Sequence, residues 1–124
     1  MWRQFCKSKI MNAVVVKSLV QYEGSCGVDE TILEAADIRP NEWIIIANVT
    51  TGARFETYAI PEPRGSGAVH IYGAAAHNAA VGHVLIIMSF AWLRRCRSAQ
   101  LPARAWSGSR PAIICPRENA VRTS

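Results

Sequence analysis

Trp43-Ile44-Ile45-Ile46-Ala47-Asn48-Val49-Thr50-Thr51-Gly52-Ala53-Arg54-Phe55-Glu56-Thr57-Tyr58-Ala59-Ile60 is the stretch that settles the fold class. Two runs rich in β-branched and aromatic residues, Trp43–Val49 and Phe55–Ile60, flank the turn signal Thr50-Thr51-Gly52. The first run is almost continuously apolar rather than alternating, as expected of a strand lining a closed barrel or covered on both faces. Working outward, Ala13–Val16, Ala68–Tyr72 and Val84–Phe90 have the same character. Pro61-Glu62-Pro63-Arg64-Gly65 and Val81-Gly82 punctuate them.

One helix is expected after Asp29, a good N-cap. Glu30 suits the positive helix start, and Ile32, Leu33 and Ala36 share a face. Pro40 limits its continuation beyond Asp37. Pro111–Cys115 reads as one more short strand, placed at an edge because proline flanks it on both sides. No internal repeat is present. At 124 residues the chain is one domain, and the pattern is a small, mainly β barrel with one or two short helices.

The charge is unevenly distributed. The chain carries 14 Lys or Arg against 9 Asp or Glu, net +5, but residues 1–93 are close to neutral. The excess lies in residues 94–124, where seven Arg face Glu118 alone. This divides the chain into a barrel domain, 1–93, and a divergent basic C-terminal segment, 94–124. A basic tail can bind nucleic acid or an acidic membrane surface. Here the Arg residues are scattered among Ala, Ser and Pro, with Trp106 the one aromatic among them. A solvated tail is the simpler reading, with no nucleic-acid and no membrane partner.

Cys6, Cys26, Cys96 and Cys115 form no C-x-x-C pair and have no His at ligand spacing, which argues against zinc. The apolar stretch after Lys9 is broken by Asn12 and stops at Lys17, unlike a signal peptide. Val84–Leu93 is too short to span a bilayer as a helix. Free thiols in a reducing cytoplasm are expected.

The chemistry centres on Tyr22-Glu23-Gly24-Ser25-Cys26. A serine hydroxyl can attack the carbonyl before it and turn the amide into an ester, provided the backbone is strained and the oxyanion stabilised. Glycine on the amino side leaves that carbonyl uncrowded. Loss of the serine α-proton then releases a chain ending at Gly24. The dehydroalanine left at position 25 hydrolyses to a pyruvoyl group and ammonia. Gly-Ser alone carries little weight, since it recurs at Gly65-Ser66 and Gly108-Ser109 as an ordinary turn.

Several motifs occur together in order: Lys9-Ile10, Tyr22-Glu23-Gly24-Ser25, Asn48 through Tyr58, Arg64-Gly65-Ser66-Gly67 and Gly73-Ala74-Ala75-Ala76. In this set the chain resembles the pyruvoyl-dependent aspartate 1-decarboxylases over about residues 1–91, with a weak echo at Pro111, Ile113-Ile114 and Asn119. The resemblance implies a double-psi β-barrel, a homotetramer with sites at subunit interfaces, and conversion of L-aspartate to β-alanine and CO2 for pantothenate synthesis. It implies a covalent pyruvoyl cofactor derived from Ser25, with neither metal nor pyridoxal phosphate. The substrate amine condenses with that carbonyl, and the imine takes up the electrons left by CO2. The partners implied are L-aspartate, further copies of the chain and, where cleavage is not spontaneous, a maturation helper protein.

The residues themselves suit these tasks. Arg54 has the rigid fork that grips a carboxylate, although a surface ion pair with Glu56 or Glu62 is the plainer alternative. Lys9 can add a second positive charge, and Tyr58 has a weakly acidic hydroxyl fit to return a proton to a carbanion. By resemblance, Thr57 polarises the Gly24 carbonyl and helps bind substrate. Gly73, Ala74 and Ala75 offer backbone to the substrate, and Ile86 walls the pocket. Regular strand alternation would turn Thr57 and Tyr58 to opposite faces unless a bulge intervenes.

Four departures stand out. Met11 replaces the family's usual histidine, Tyr72 its asparagine, and His83 an acidic residue. Leu93-Arg94-Arg95-Cys96-Arg97 replaces an acidic, helix-forming stretch. A ring at position 72 is expected to crowd the pocket, which makes an uncut or impaired barrel the competing reading.

Overall fold

A computed structural model describes residues 1–94 and the backbone of residues 112–115 and 120–122. Apart from Arg94 and those two backbone segments, the basic region 94–124 lies outside the described residues.

The opening stretch becomes an antiparallel hairpin of β4 (Trp43–Asn48) and β5 (Arg54–Glu62), with Trp43 opposite Tyr58 and Ala47 opposite Arg54. Its turn is held by Asn48. The side-chain oxygen accepts from the amides of Thr50 and Thr51 at 2.9 and 3.1 Å, and the main-chain oxygen accepts from Gly52 at 2.7 Å. Gly52 has φ +84°, a conformation glycine adopts without steric cost.

The other strands are β1 (Arg3–Val14), β2 (Lys17–Leu19), β3 (Ser25–Asp29), β6 (Val69–Tyr72), β7 (Val84–Leu93), β8 (Ala112–Cys115) and β9 (Ala120–Arg122). They run in the order β2-β6-β3-β5-β4-β7-β1-β8-β9. β1 and β2 are thus far apart in the order yet joined in the chain by Val15-Val16. The Val15 amide donates to His83 O and the Val16 amide to Val69 O, both at 3.0 Å, which draws the two sides together. The architecture is mainly β and matches the double-psi β-barrel that the resemblance implied.

Helix α1 (Glu30–Ala35) begins as expected, with the Asp29 carboxylate accepting from the Thr31 amide at 2.8 Å. The same carboxylate accepts from Gly65 and Gly67 at 3.1 and 2.8 Å, tying the 63–67 loop to the end of β3. Burial opposes its charge, but the amides of Gly67, Thr31 and Gly65 outweigh burial and hold its pKa below the usual range. A 3-10 turn over Gly73–Asn78 is the second short helix.

Ile10, Ile87 and Ile46 lie side by side across three strands at the centre of the core, all buried. Each contributes roughly 1.5–3 kcal/mol by leaving water.

Three boundaries differ from expectation. β1 starts ten residues before Ala13, because its first half reaches past the core to pair with the far end of β7. β3 carries no strand-like sequence signal: Ser, Gly and Asp are poor strand formers, and tertiary pairing on both sides overrides them. β8 is not an edge, since β1 and β9 flank it; the prolines at 111 and 116 lie outside its four residues and cost no ladder bond.

Candidate active site

The Gly24–Ser25 bond marks a change of environment. Gly24 is exposed, while Ser25 heads β3 with only 4% of its surface exposed. Two neighbours fix Ser25: β6 pairs it with Tyr72, and β5 runs parallel with Cys26 opposite Ala59. By that parallel register, Gly24 lies level with Thr57 and Ser25 level with Tyr58. The Ser25 side chain makes no hydrogen bond to another described residue. A buried hydroxyl without a partner is uncommon and calls for a reason.

Gly73 shapes the approach to this bond. Its φ of +73° requires glycine, and a Cβ there would lie 2.6 Å from Gly24 Cα and 2.8 Å from Tyr22 O. The arm Tyr22–Gly24 therefore lies directly on the Gly73 backbone. Beyond Gly73, Ala74 is exposed, and Ala75 is half-buried against the core.

Tyr72 lies directly opposite Ser25 in the antiparallel pair, so the two side chains leave the sheet on the same face. The Tyr72 hydroxyl donates to Glu62 Oε1 at 2.9 Å and lies 2.8 Å from His70 Nδ1. Because the phenol proton goes to Glu62, His70 must present Nδ1–H to the phenol oxygen. The Glu62 carboxylate fills the space that a side chain at Gly27 would occupy. The phenol thus leans toward the middle of β3, and its ring lies 5.1 Å from that of Tyr22. Burial, then the bond to Glu62, pushes its pKa up to about 12, so it remains a donor through the neutral range. Sequence reading missed these two anchors of the Tyr72 hydroxyl, on His70 and Glu62. No sequence signal pointed to them, because Gly27 marks a close approach only once β3 is known to be a strand.

Other expected residues share one outer face. Along β5, Arg54, Glu56 and Tyr58 are exposed while Phe55, Thr57 and Ala59 turn inward. The β4–β5 register runs unbroken, so no bulge realigns Thr57 with Tyr58 and they face opposite sides. Arg54 pairs with Ala47, and Ala47 with Ile86, which places Ile86 beside Arg54 across the sheet. Lys9, Met88, Ile45 and Glu56 form the next row. Between Ile10 and Ala13 the β1 register shifts, so Met11 and Asn12 together oppose Ile86, with Asn12 at φ +58°. This is a bulge, a device that re-aims side chains.

Arg54 makes no ion pair among the described residues, unlike Arg64, which bonds Glu34 at 2.7 and 3.0 Å. The expected alternative of a pair with Glu56 or Glu62 is not realised. Tyr58 likewise makes no side-chain hydrogen bond to a described residue. The outer face also exposes Trp43 (41%), which lies against Phe90.

Ser25 and Tyr58 are on neighbouring strands, but the remaining groups are spread out. Four strand spacings, about 19 Å measured around the sheet, separate β3 from β1. Arg54 lies four residues from Tyr58, about 13 Å along β5.

His83 has a structural task. Its Nδ1 accepts from the Ala80 amide at 3.1 Å and from Asn48 Nδ2 at 3.0 Å, which leaves its proton on Nε2. Asn48 Nδ2 also donates to Asn78 O at 2.8 Å, so the histidine and Asn48 join two turns.

A sequence model of the aspartate decarboxylase family matches residues 1–109. The curated relative from Leptothrix cholodnii named aspartate 1-decarboxylase is 48% identical over 91 residues, covering 73% of this chain and 70% of its own length. One from Albidiferax ferrireducens with the same name is 42% identical over 114 residues, covering 92% and 78%. A third so named, from Coprothermobacter proteolyticus, is 52% identical over 85 residues, covering 68% and 71%.

Proposed function

The chain belongs to the aspartate decarboxylase family, and from that premise we propose that it cuts itself between Gly24 and Ser25 to become a pyruvoyl-dependent aspartate 1-decarboxylase. The observation that carries this reading is the buried Ser25 hydroxyl with no partner among the described residues, beside a glycine pressed onto Gly73.

In the precursor, the Ser25 hydroxyl attacks the Gly24 carbonyl. Thr57, level with Gly24, offers its hydroxyl to the developing oxyanion. Loss of the Ser25 α-proton breaks the ester, leaving Gly24 with a carboxylate and residue 25 as dehydroalanine, which water converts to a ketone with loss of ammonia. The site fits such a group, since β3 is paired with β5 and β6 on the carboxyl side of the bond and residue 25 is buried there in the uncut chain. Once formed, the pyruvoyl group supplies a carbonyl that accepts the electrons released with CO2, producing β-alanine.

The remaining residues bind and orient. Arg54 grips a carboxylate of aspartate with its fork, Lys9 adds positive charge, and Tyr58 returns a proton to the carbon that lost CO2. Gly73, Ala74 and Ala75 offer backbone, and Ile86 forms an apolar wall. The family resemblance implies a homotetramer with sites at subunit interfaces, in which the outer face of one copy would complete the Ser25 site of another. The exposed Trp43 and Tyr58 on that face agree with it. Among the described residues no helix is long and apolar enough to cross a membrane. A cytoplasmic enzyme serving pantothenate synthesis is the setting that goes with this chemistry.

The test is turnover of L-aspartate without added pyridoxal phosphate or metal, and its loss on borohydride treatment in the presence of aspartate. Activity that requires added pyridoxal phosphate contradicts the proposal.

A further inference from the structure

Two consecutive residues of this chain, Tyr72 and Gly73, hold the arm that carries the scissile bond. Gly73 receives the main chain of Tyr22 and Gly24. Tyr72 receives the side chain of Tyr22, with ring centroids 5.1 Å apart and the planes tilted by 33°. Tyr22 is otherwise 65% exposed and its hydroxyl makes no hydrogen bond to a described residue, so the Tyr72 ring is its one aromatic contact among the described residues. Tyr72 itself cannot swing freely. Its hydroxyl is bound by Glu62 and His70, and Glu62 reaches it only because residue 27 has no side chain.

We infer that Tyr72 is a positioning residue for self-cleavage, a clamp anchored by Glu62 and His70 that stacks on Tyr22 and holds Gly24 against Gly73. This rests on the self-cleavage reading above and goes beyond it by assigning work to Tyr22, Gly27, Glu62, His70 and Tyr72. The physical reason is orientation. Attack on the Gly24 carbonyl needs that carbonyl fixed relative to the Ser25 hydroxyl, and an exposed, unrestrained arm samples many other geometries. Ser25 is fixed by β3, so the mobile partner is Gly24, and the clamp acts on its side of the bond. The large ring at position 72 is then a working part of the precursor rather than an obstruction.

The experiment follows cleavage of freshly translated precursor by intact mass over time, beside thermal melting of each variant. Tyr22→Leu removes the stack at an exposed position and leaves the fold alone. It is expected to slow cleavage about tenfold with an unchanged melting temperature. Tyr22→Phe keeps the stack and should cleave like the parent chain. Gly27→Ala displaces the Glu62 carboxylate while leaving both rings in place, and should slow cleavage several-fold. Tyr22→Leu with Tyr72→Leu should be no slower than the slower single variant, because both remove one clamp. Parent-like cleavage by Tyr22→Leu, or effects that add in the double variant and follow melting temperature, overturns the clamp alone. A parent chain that stays whole overturns the self-cleavage reading, and the clamp with it.

Discussion

The two halves of the site are built to opposite standards. Around Gly24–Ser25 the described neighbours are closely set: β5 and β6 fix Ser25, Gly73 leaves no room for a methyl group, and the Tyr72 hydroxyl is anchored by Glu62 and His70. On the outer face of β4 and β5, Arg54 and Tyr58 stand exposed without side-chain partners among the described residues. Arg64, by contrast, is paired with Glu34. The difference separates two tasks. On the reading proposed above, cutting the chain would draw on contacts within one copy, and turning over aspartate on groups left open to a substrate and a second copy.

Substitutions can break that separation or sharpen it. The largest effect is expected from Gly73→Ala. A methyl there must displace Gly24 backbone, and the left-handed conformation alone costs about 1–2 kcal/mol for a residue with a side chain. Cleavage measured by mass should slow by more than about a hundredfold in a protein that still folds, each 1.4 kcal/mol being about tenfold. Next, Arg54→Ala should leave cleavage intact and lower kcat/KM for aspartate by at least about a hundredfold. It forfeits two charge-assisted hydrogen bonds of roughly 1.5–3 kcal/mol each. Unchanged aspartate kinetics in the processed variant would remove Arg54 from the site.

A smaller effect is expected from Asp29→Asn, which lies between the two regions. The Asp29 carboxylate has a lowered pKa in the folded chain, so its stabilisation is present above its unfolded value of about 3.9 and is lost as pH falls through the folded value. Asp29→Asn should reduce stability by about 0.5–2 kcal/mol at neutral pH and flatten the acid limb of the melting-temperature profile. A parallel acid limb in parent and variant would show that Asp29 is not the group responsible.

Sequence reading went furthest where residue type and structure agree. The Ile-rich β4, the Thr50-Thr51-Gly52 turn and the Asp29 cap were all legible because local preference and tertiary demand coincide there. β3 was not legible: Ser25-Cys26-Gly27-Val28-Asp29 is a strand only because β5 and β6 impose it. The Ser25 motif could be found by resemblance, but its burial could not. The fate of Tyr72 was also hidden, since Glu62 and His70 lie 10 and 2 residues away and meet it only through the folded register. The opposed faces of Thr57 and Tyr58 followed from simple alternation, and the unbroken register of β5 agrees.

The central claim is that this chain makes its own catalytic carbonyl from Ser25, and an intact-mass spectrum of the purified protein tests it most directly. The account predicts two fragments, residues 1–24 ending in a free carboxylate and residues 25–124 lighter by one ammonia than a serine-ended chain. Ser25→Ala should give one whole chain. A parent protein found uncut, or a Ser25→Ala protein cut at the same bond, would contradict it.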